Sequence, residues 1–220
     1  MIKGVIFDMD GLMFDTERLS FRFWKQAGEK IGYEIPEEMV EGFRGRNRAS
    51  IGKEILDIYG SEFDFDLFEK YKTQAQIQYM EENGVPIKPG LLVLLEYLKE
   101  KQIKMAVATS TNQELADWML EMAQVSAYFD TFVYGNRVER SKPNPDIFLK
   151  AAEELHLPME ECLVLEDSIA GVEAGKRAGG YIIHIPDIIV VPEEVKVGIT
   201  AEMESLEEVI SWIEHANQSV

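Results

Sequence analysis

Cysteine is nearly missing from this chain. Its 220 residues contain one, Cys162, so no intrachain disulfide can form, and its place in the apolar run CLVL suits a buried, inert thiol. A reducing compartment, the cytoplasm, is expected. Basic residues are scarce too: 22 Lys and Arg stand against 40 Asp and Glu, a net charge of −18. A far field of that sign repels phosphate backbones and anionic lipid, so neither nucleic acid nor a membrane is an expected partner. A small anionic substrate is not excluded, because an anion site depends on a bound cation and local donors rather than on net charge. No run approaches the ~20 apolar residues of a membrane span, and no basic segment with a long apolar stretch precedes the first strand. A soluble, unprocessed chain is expected, with no internal repeat and no low-complexity tract. Hydrophobic residues make up 46% of the chain, ample for a core.

What is present is organised around KGVIFDMDGLMFDT, Lys3 to Thr16. The run Gly4 to Phe7 is short, apolar and partly β-branched, as in a parallel strand buried on both faces. Asp8 and Asp10 follow it and Gly11 comes next, where open α/β sheets place their ligands. In extended backbone, residues two apart point to the same side, so both carboxylates could address one ligand. Unit charges ~4 Å apart repel by roughly 4 kcal/mol at an effective dielectric of 20, which calls for a metal ion, a proton, or both. The same pattern also fits an acidic strand end that merely turns the chain, and the rest of the sequence has to decide.

From Thr16 to about Glu82 the periodicity is helical. Leu19, Phe23, Ala27 and Ile31 recur every four residues, and so do Ile51, Ile55 and Tyr59, then Phe68, Tyr71 and Ala75. Asn83 to Pro89 reads as the return crossing of a helical insert. Beyond it, helices and apolar strands alternate, the signature of a doubly wound, Rossmann-like parallel sheet. Strands are expected at Lys104 to Thr109, Thr131 to Tyr134, Cys162 to Leu165 and Tyr181 to Ile185, five with the first. The intervening helices show apolar positions at Leu91, Leu94, Leu95 and Leu98, at Leu115, Met119 and Met122, and at Ile147, Phe148, Ala151 and Leu155. Ser205 with Glu208 reads as a capping box opening the last helix.

The strand ends share a chemistry. The second runs into Thr109-Ser110-Thr111-Asn112 before a helix, where a hydroxyl and free amides make an anion site, although these residues are also ordinary caps. The third leads to Ser141-Lys142-Pro143, whose lone lysine could equally be a solvated charge. The fourth ends in Glu166-Asp167-Ser168. Hard carboxylate oxygens suit Mg²⁺ better than zinc, so together these ends describe a phosphate site.

The ordered set FDMDG, VATS, SKPNPD and LEDS resembles the four motifs of the haloacid dehalogenase-like superfamily, and the helical insert resembles its small cap. DMDGLMFDTE is similar to the first motif of the subgroup holding beta-phosphoglucomutase and small sugar-phosphate, nucleotide and pseudouridine 5′-phosphatases. The resemblance implies a core of residues 1–15 and 83–220 with a cap of residues 16–82. It implies Asp8 as nucleophile and Asp10 as general acid. It also implies that Asp8, the Met9 carbonyl next to Asp10, Asp167 and Glu166 hold Mg²⁺, and that Thr109, the Ser110 amide and Lys142 hold the phosphate. Asn112, Thr16 and Ser20 are expected on the substrate side, joined by Arg48 and Arg44 from the cap segment RGRNR, which as readily forms a solvated helix end. No histidine is required: His156 and His215 are placed on helices and His184 in a strand.

The expected activity is Mg²⁺-dependent hydrolysis of a small phosphorylated metabolite, a sugar phosphate or nucleoside monophosphate, by a monomer, with a dimer left open. The alternative is a phosphosugar mutase, but members of that kind resemble this chain with a histidine where Ser20 stands. A phosphoacceptor signalling module or a halide-displacing enzyme fits less well, since Asp10 has no place in either.

Overall fold

The computed structural model describes residues 1–43, 46, 48–188 and 190–218. The chain opens with β1 (Gly4–Phe7) and passes into four helices, α1 (Glu17–Ile31), α2 (Glu37–Phe43), α3 (Arg48–Tyr59) and α4 (Phe65–Asn83). It then alternates through α5 (Leu91–Glu100), β2 (Lys104–Thr109), α6 (Gln113–Met122), β3 (Thr131–Tyr134) and α7 (Asp146–Leu155). β4 (Cys162–Glu166), α8 (Ile169–Ala178), β5 (Tyr181–His184), α9 (Glu193–Lys196), β6 (Ala201–Glu202) and α10 (Glu208–Gln218) complete it.

The strands form one sheet in the order β3-β2-β1-β4-β5-β6, every pair parallel. β1 is central because all four of its residues are apolar or glycine and buried, and Phe7 lies opposite Val107 on one side and Leu165 on the other. Alternation sorts its side chains. Val5 and Phe7 face α5, α6 and α10, and Ile6 faces α7 and α8. The α/β architecture is the expected one, with corrections at its margins. A sixth strand, β6, pairs with Ile183 and His184 but is too short to make an apolar run. On α6 the buried stripe is Leu115, Ala116, Met119 and Leu120, and Met122 is exposed. The capping box at Ser205 does not form: α10 begins at Glu208, whose carboxylate accepts from the Glu204 amide at 3.4 Å.

The helices α1 to α4 bury their own cluster, including Trp24, Ala27, Val40, Phe43, Ile55, Phe63 and Phe68. Trp24 sits at its centre, its ring 5.5 Å from Phe43 and 5.3 Å from Phe68. This insert leaves and rejoins the sheet layer through two adjacent crossings. The Asp15 amide donates to the Pro86 carbonyl at 2.7 Å and the Lys88 amide to the Met13 carbonyl at 2.9 Å, around an antiparallel Phe14 to Ile87 bridge.

Candidate active site

The two carboxylates of the first motif come together by a turn, not by a continued strand. β1 stops at Phe7, and the Met9 carbonyl then accepts the amides of Met13 at 2.9 Å and Phe14 at 3.1 Å, curling Asp10 back over the strand end. Gly11 is required at this turn. Its φ is 86°, and any Cβ there would run into the Asp167 carboxylate. The turn overturns one expectation: the Met9 carbonyl is fully engaged and cannot serve a cation. The Asp10 carbonyl accepts no hydrogen bond among the described residues and is a main-chain oxygen open to a ligand.

Beneath the turn lies a buried charge centre. The Lys142 ammonium donates to Asp8, to Glu166 Oε1 at 2.6 Å and to the Ala108 carbonyl at 3.3 Å, so the lysine expected at the phosphate site is buried and held beside Asp8. Burial pulls its pKa down, but Asp8 and Glu166 outweigh that and hold it firmly protonated. Burial raises the Asp8 pKa to about 8 against the opposing pull of Lys142, with Glu166 and Asp10 adding to the rise. Asp167 is pushed well up by burial first and then by Glu166 and Asp8.

Asp8, Glu166 and Asp167 can each bring a carboxylate oxygen within 4.8 Å of the others. Ionised together, three carboxylates against one ammonium would carry an excess of two negative charges, and Asp167 Oδ1 is buried without a partner. That donor set fits a divalent cation. Glu166 itself fits the ligand role poorly. Its Oε1 takes Lys142, and its Oε2 takes the Asp167 and Ser168 amides, both at 2.9 Å, and the Ser168 hydroxyl at 3.0 Å. Its carboxylate also fills the space where a Cβ on residue 171 would stand, which explains Gly171. Glu166 thus anchors Lys142 and the loop carrying Asp167.

Asp10 is gripped from two sides. Thr16 Oγ1 donates to Oδ1 and Thr111 Oγ1 to Oδ2, both at 2.7 Å. Thr16, expected on the substrate side, lines the cleft and is also a buried partner of Asp10. Thr111 was not among the expected site residues, and its signal, a third hydroxyl in TST, is easily taken for cap chemistry. Thr109 Oγ1 accepts the Thr111 amide at 3.0 Å, which leaves its own proton free to donate. Asn112 Oδ1 caps α6 through the Leu115 amide at 3.1 Å. Gly135 lets β3 approach the Ser110 carbonyl, where a Cβ would come within 2.7 Å.

Above these groups opens a cleft of about 390 Å³, lined by Asp8, Asp10, Thr16, Thr109, Ser110, Asn112 and Asp167 from below and by Ser20 and Arg48 from the insert. Lys142 and Glu166 lie behind it. Arg44 lies outside the described residues. The insert's wall also contributes Trp24, Arg46, Glu69, Lys72 and Gln76, which sequence reading did not single out. No histidine lines the cleft among the described residues. His184 is buried behind it, Nε2 3.3 Å from the Asp167 carbonyl and Nδ1 2.8 Å from Glu202. His156 terminates α7 in a left-handed conformation, and His215 lies on α10.

Residues 5–185 match the model of a family described as haloacid dehalogenase-like hydrolase. A phosphorylated carbohydrates phosphatase of Thermotoga maritima is 37% identical over 182 residues, 81% of this chain and 82% of that one. A beta-phosphoglucomutase of Bacillus subtilis is 31% identical over 84% of this chain and 83% of its own. Among solved structures, CbbY of Rhodobacter sphaeroides in complex with xylulose-(1,5)bisphosphate superposes with a TM-score of 0.84 at 26% identity, covering 94% of this chain and 96% of that one.

Proposed function

Because the chain belongs to the haloacid dehalogenase-like hydrolase family, we propose that it is a Mg²⁺-dependent phosphatase of small phosphorylated carbohydrates that works through a phosphorylated Asp8. The observation that carries this reading is the convergence on one cleft of a Lys142-held Asp8 and a second carboxylate, Asp10, tethered by two hydroxyls. Asp8, Asp167 and the Asp10 carbonyl would hold Mg²⁺, which supplies the positive charge that lets a phosphate dianion approach a carboxylate. The insert of residues 16–82 acts as a cap on a core of residues 1–15 and 83–220, and its separate apolar cluster supports that division.

Each residue then has a task. Lys142, fixed by Asp8 and Glu166, offsets charge on the transferred phosphoryl group, while the Thr109 hydroxyl and Ser110 amide orient its oxygens. The free Asp8 oxygen attacks phosphorus in line and the bond to the leaving oxygen breaks. Asp10 delivers a proton to that oxygen, then takes one from the water that attacks the aspartyl phosphate, releasing inorganic phosphate and restoring Asp8. Thr16 and Thr111 keep Asp10 in place for both transfers.

The test is phosphate release from a panel of sugar monophosphates. Activity should require added Mg²⁺, vanish with chelator, and fall by several orders of magnitude in Asp8→Asn, whose amide is a poor nucleophile. Full turnover by that variant would remove Asp8 from the mechanism.

A further inference from the structure

Asp167 lies one residue past the end of β4, where the sheet ladder no longer fixes the main chain. Two side chains hold its peptide groups instead. Glu166 Oε2 accepts the Asp167 amide at 2.9 Å, and His184 Nε2 stands 3.3 Å from the Asp167 carbonyl. A carbonyl can only accept, so in this bond Nε2 is the donor. No backbone amide among the described residues bonds to that carbonyl, so the histidine alone meets it from behind the cleft. His184 is fixed in turn. It is 1% exposed, and Glu202 Oε2 lies 2.8 Å from its Nδ1. Glu202 stands directly opposite it in the register of β5 and β6, and the Met203 amide donates to the His184 carbonyl at 3.0 Å. Lys196 Nζ, 2.6 Å from Glu202, steadies that carboxylate. The two-residue β6 thus brings an acid to the back of a buried imidazole, and the imidazole reaches the loop that carries Asp167.

We propose that His184 is a positioning residue for the cation site: by donating to the Asp167 carbonyl it sets the aim of the Asp167 carboxylate, with Glu202 setting the ring. This rests on the reading of Asp167 as a Mg²⁺ ligand. His184 does not line the cleft and acts only through Asp167. Asp167 Oδ1 is buried without a partner of its own, so the main chain decides where that oxygen points. Mg²⁺ demands near-ideal octahedral geometry at about 2.0–2.1 Å, and a short aspartate side chain passes any shift of its backbone on to its oxygens. Groups that orient metal ligands from outside are typically worth about 10- to 100-fold in affinity.

The experiment titrates Mg²⁺ into the metal-free full chain by calorimetry, and records the unfolding midpoint in chelator, for wild type, His184→Leu, His184→Gln and Glu202→Ala. Leucine fills the space without a donor, whereas the glutamine amide can donate to the same carbonyl. His184→Leu should weaken Mg²⁺ binding by about tenfold or more, and His184→Gln should restore it to within about threefold of wild type. A residue that only supports the fold would lower the midpoint in chelator and leave Mg²⁺ affinity alone. Wild-type affinity in folded His184→Leu, or no recovery in His184→Gln, would overturn the assignment. Should His184→Leu not fold, Glu202→Ala decides: freeing the ring should weaken binding by about threefold or more, and an unchanged affinity would overturn the assignment as well. A wild type that takes up no Mg²⁺ would instead strike the cation reading of the site, and this inference with it.

Discussion

Asp10 depends on two hydroxyls that come from opposite sides of the helical insert and the sheet, Thr16 before α1 and Thr111 before α6. Replacing Thr111 by Val removes one tether while keeping shape, so kcat should drop by about tenfold to a hundredfold with KM little changed, the pattern of a group that matters in proton transfer rather than binding. Steady-state kinetics on one monophosphate checks it, and a rise in KM alone would refute it. Cys162 makes a second residue-scale test. Burial first, then Glu161 and Glu160, raises its thiol to about 11, so iodoacetamide should leave the native protein unlabelled at neutral pH and label it fully once unfolded. Fast native labelling would contradict its buried place against β1. These residues also show what a sequence can disclose. Asp8, Asp10 and Asp167 were legible because acids at strand ends are chemically conspicuous. Lys142 was legible only in company with the other strand ends and the resemblance, because what sets it apart is burial between Asp8 and Glu166, a property of the fold. Thr111 was hidden among cap residues, and the choice between the Met9 and Asp10 carbonyls depends on a turn that has no signature beyond Gly11.

Among elements, the helices of the insert were readable from their four-residue repeat, and β1, β2, β3, β4 and β5 from short apolar runs between helical stretches. β6 was not, since two residues carry no periodicity. The start of α10 was misplaced because Ser205 and Glu208 have capping-box spacing while the chain turns once more before the helix begins. The separate apolar cluster of α1 to α4 has an energetic consequence. Trp24 is nearly buried against Phe43 and Phe68, so Trp24→Ala should cost about 3–5 kcal/mol. The loss should be local: hydrogen exchange should accelerate over residues 17–83 while amides of β1 and β4 stay protected. Equal acceleration throughout would mean that insert and sheet unfold as one unit.

For the whole molecule, the net charge of −18 and the buried excess of negative charge at the site act together on stability. The Asp8 pKa is raised from 3.8 to about 8, and Asp167 shifts the same way. A raised carboxyl holds a proton in the folded state that the unfolded chain has released, so the Asp8 contribution to stability declines as pH climbs from 3.8 through about 8, and Asp167 adds a decline of the same sign. Lys142, raised from 10.5, contributes evenly across this window. Glu153 and Glu202, whose pKa values are lowered from 4.5, act below it and are exposed. The Tm of metal-free protein should therefore fall between about pH 5 and 8.5, and Mg²⁺ should raise it more at the upper end. Calorimetry showing a flat Tm, or equal gains from Mg²⁺ at both ends, would refute the buried-charge account. The paired crossings at Asp15 to Pro86 and Met13 to Lys88 carry a consequence of another kind. Entry to and exit from the insert lie one strand spacing apart, about 5 Å, so the sheet sees the same two anchored ends whatever is threaded between them. On the proposed division, such a junction would let a different helical bundle be joined at these two points, changing the wall that faces the cleft while β1 and the turn that carries Asp10 keep their place, provided Thr16 stays with the core to hold Asp10.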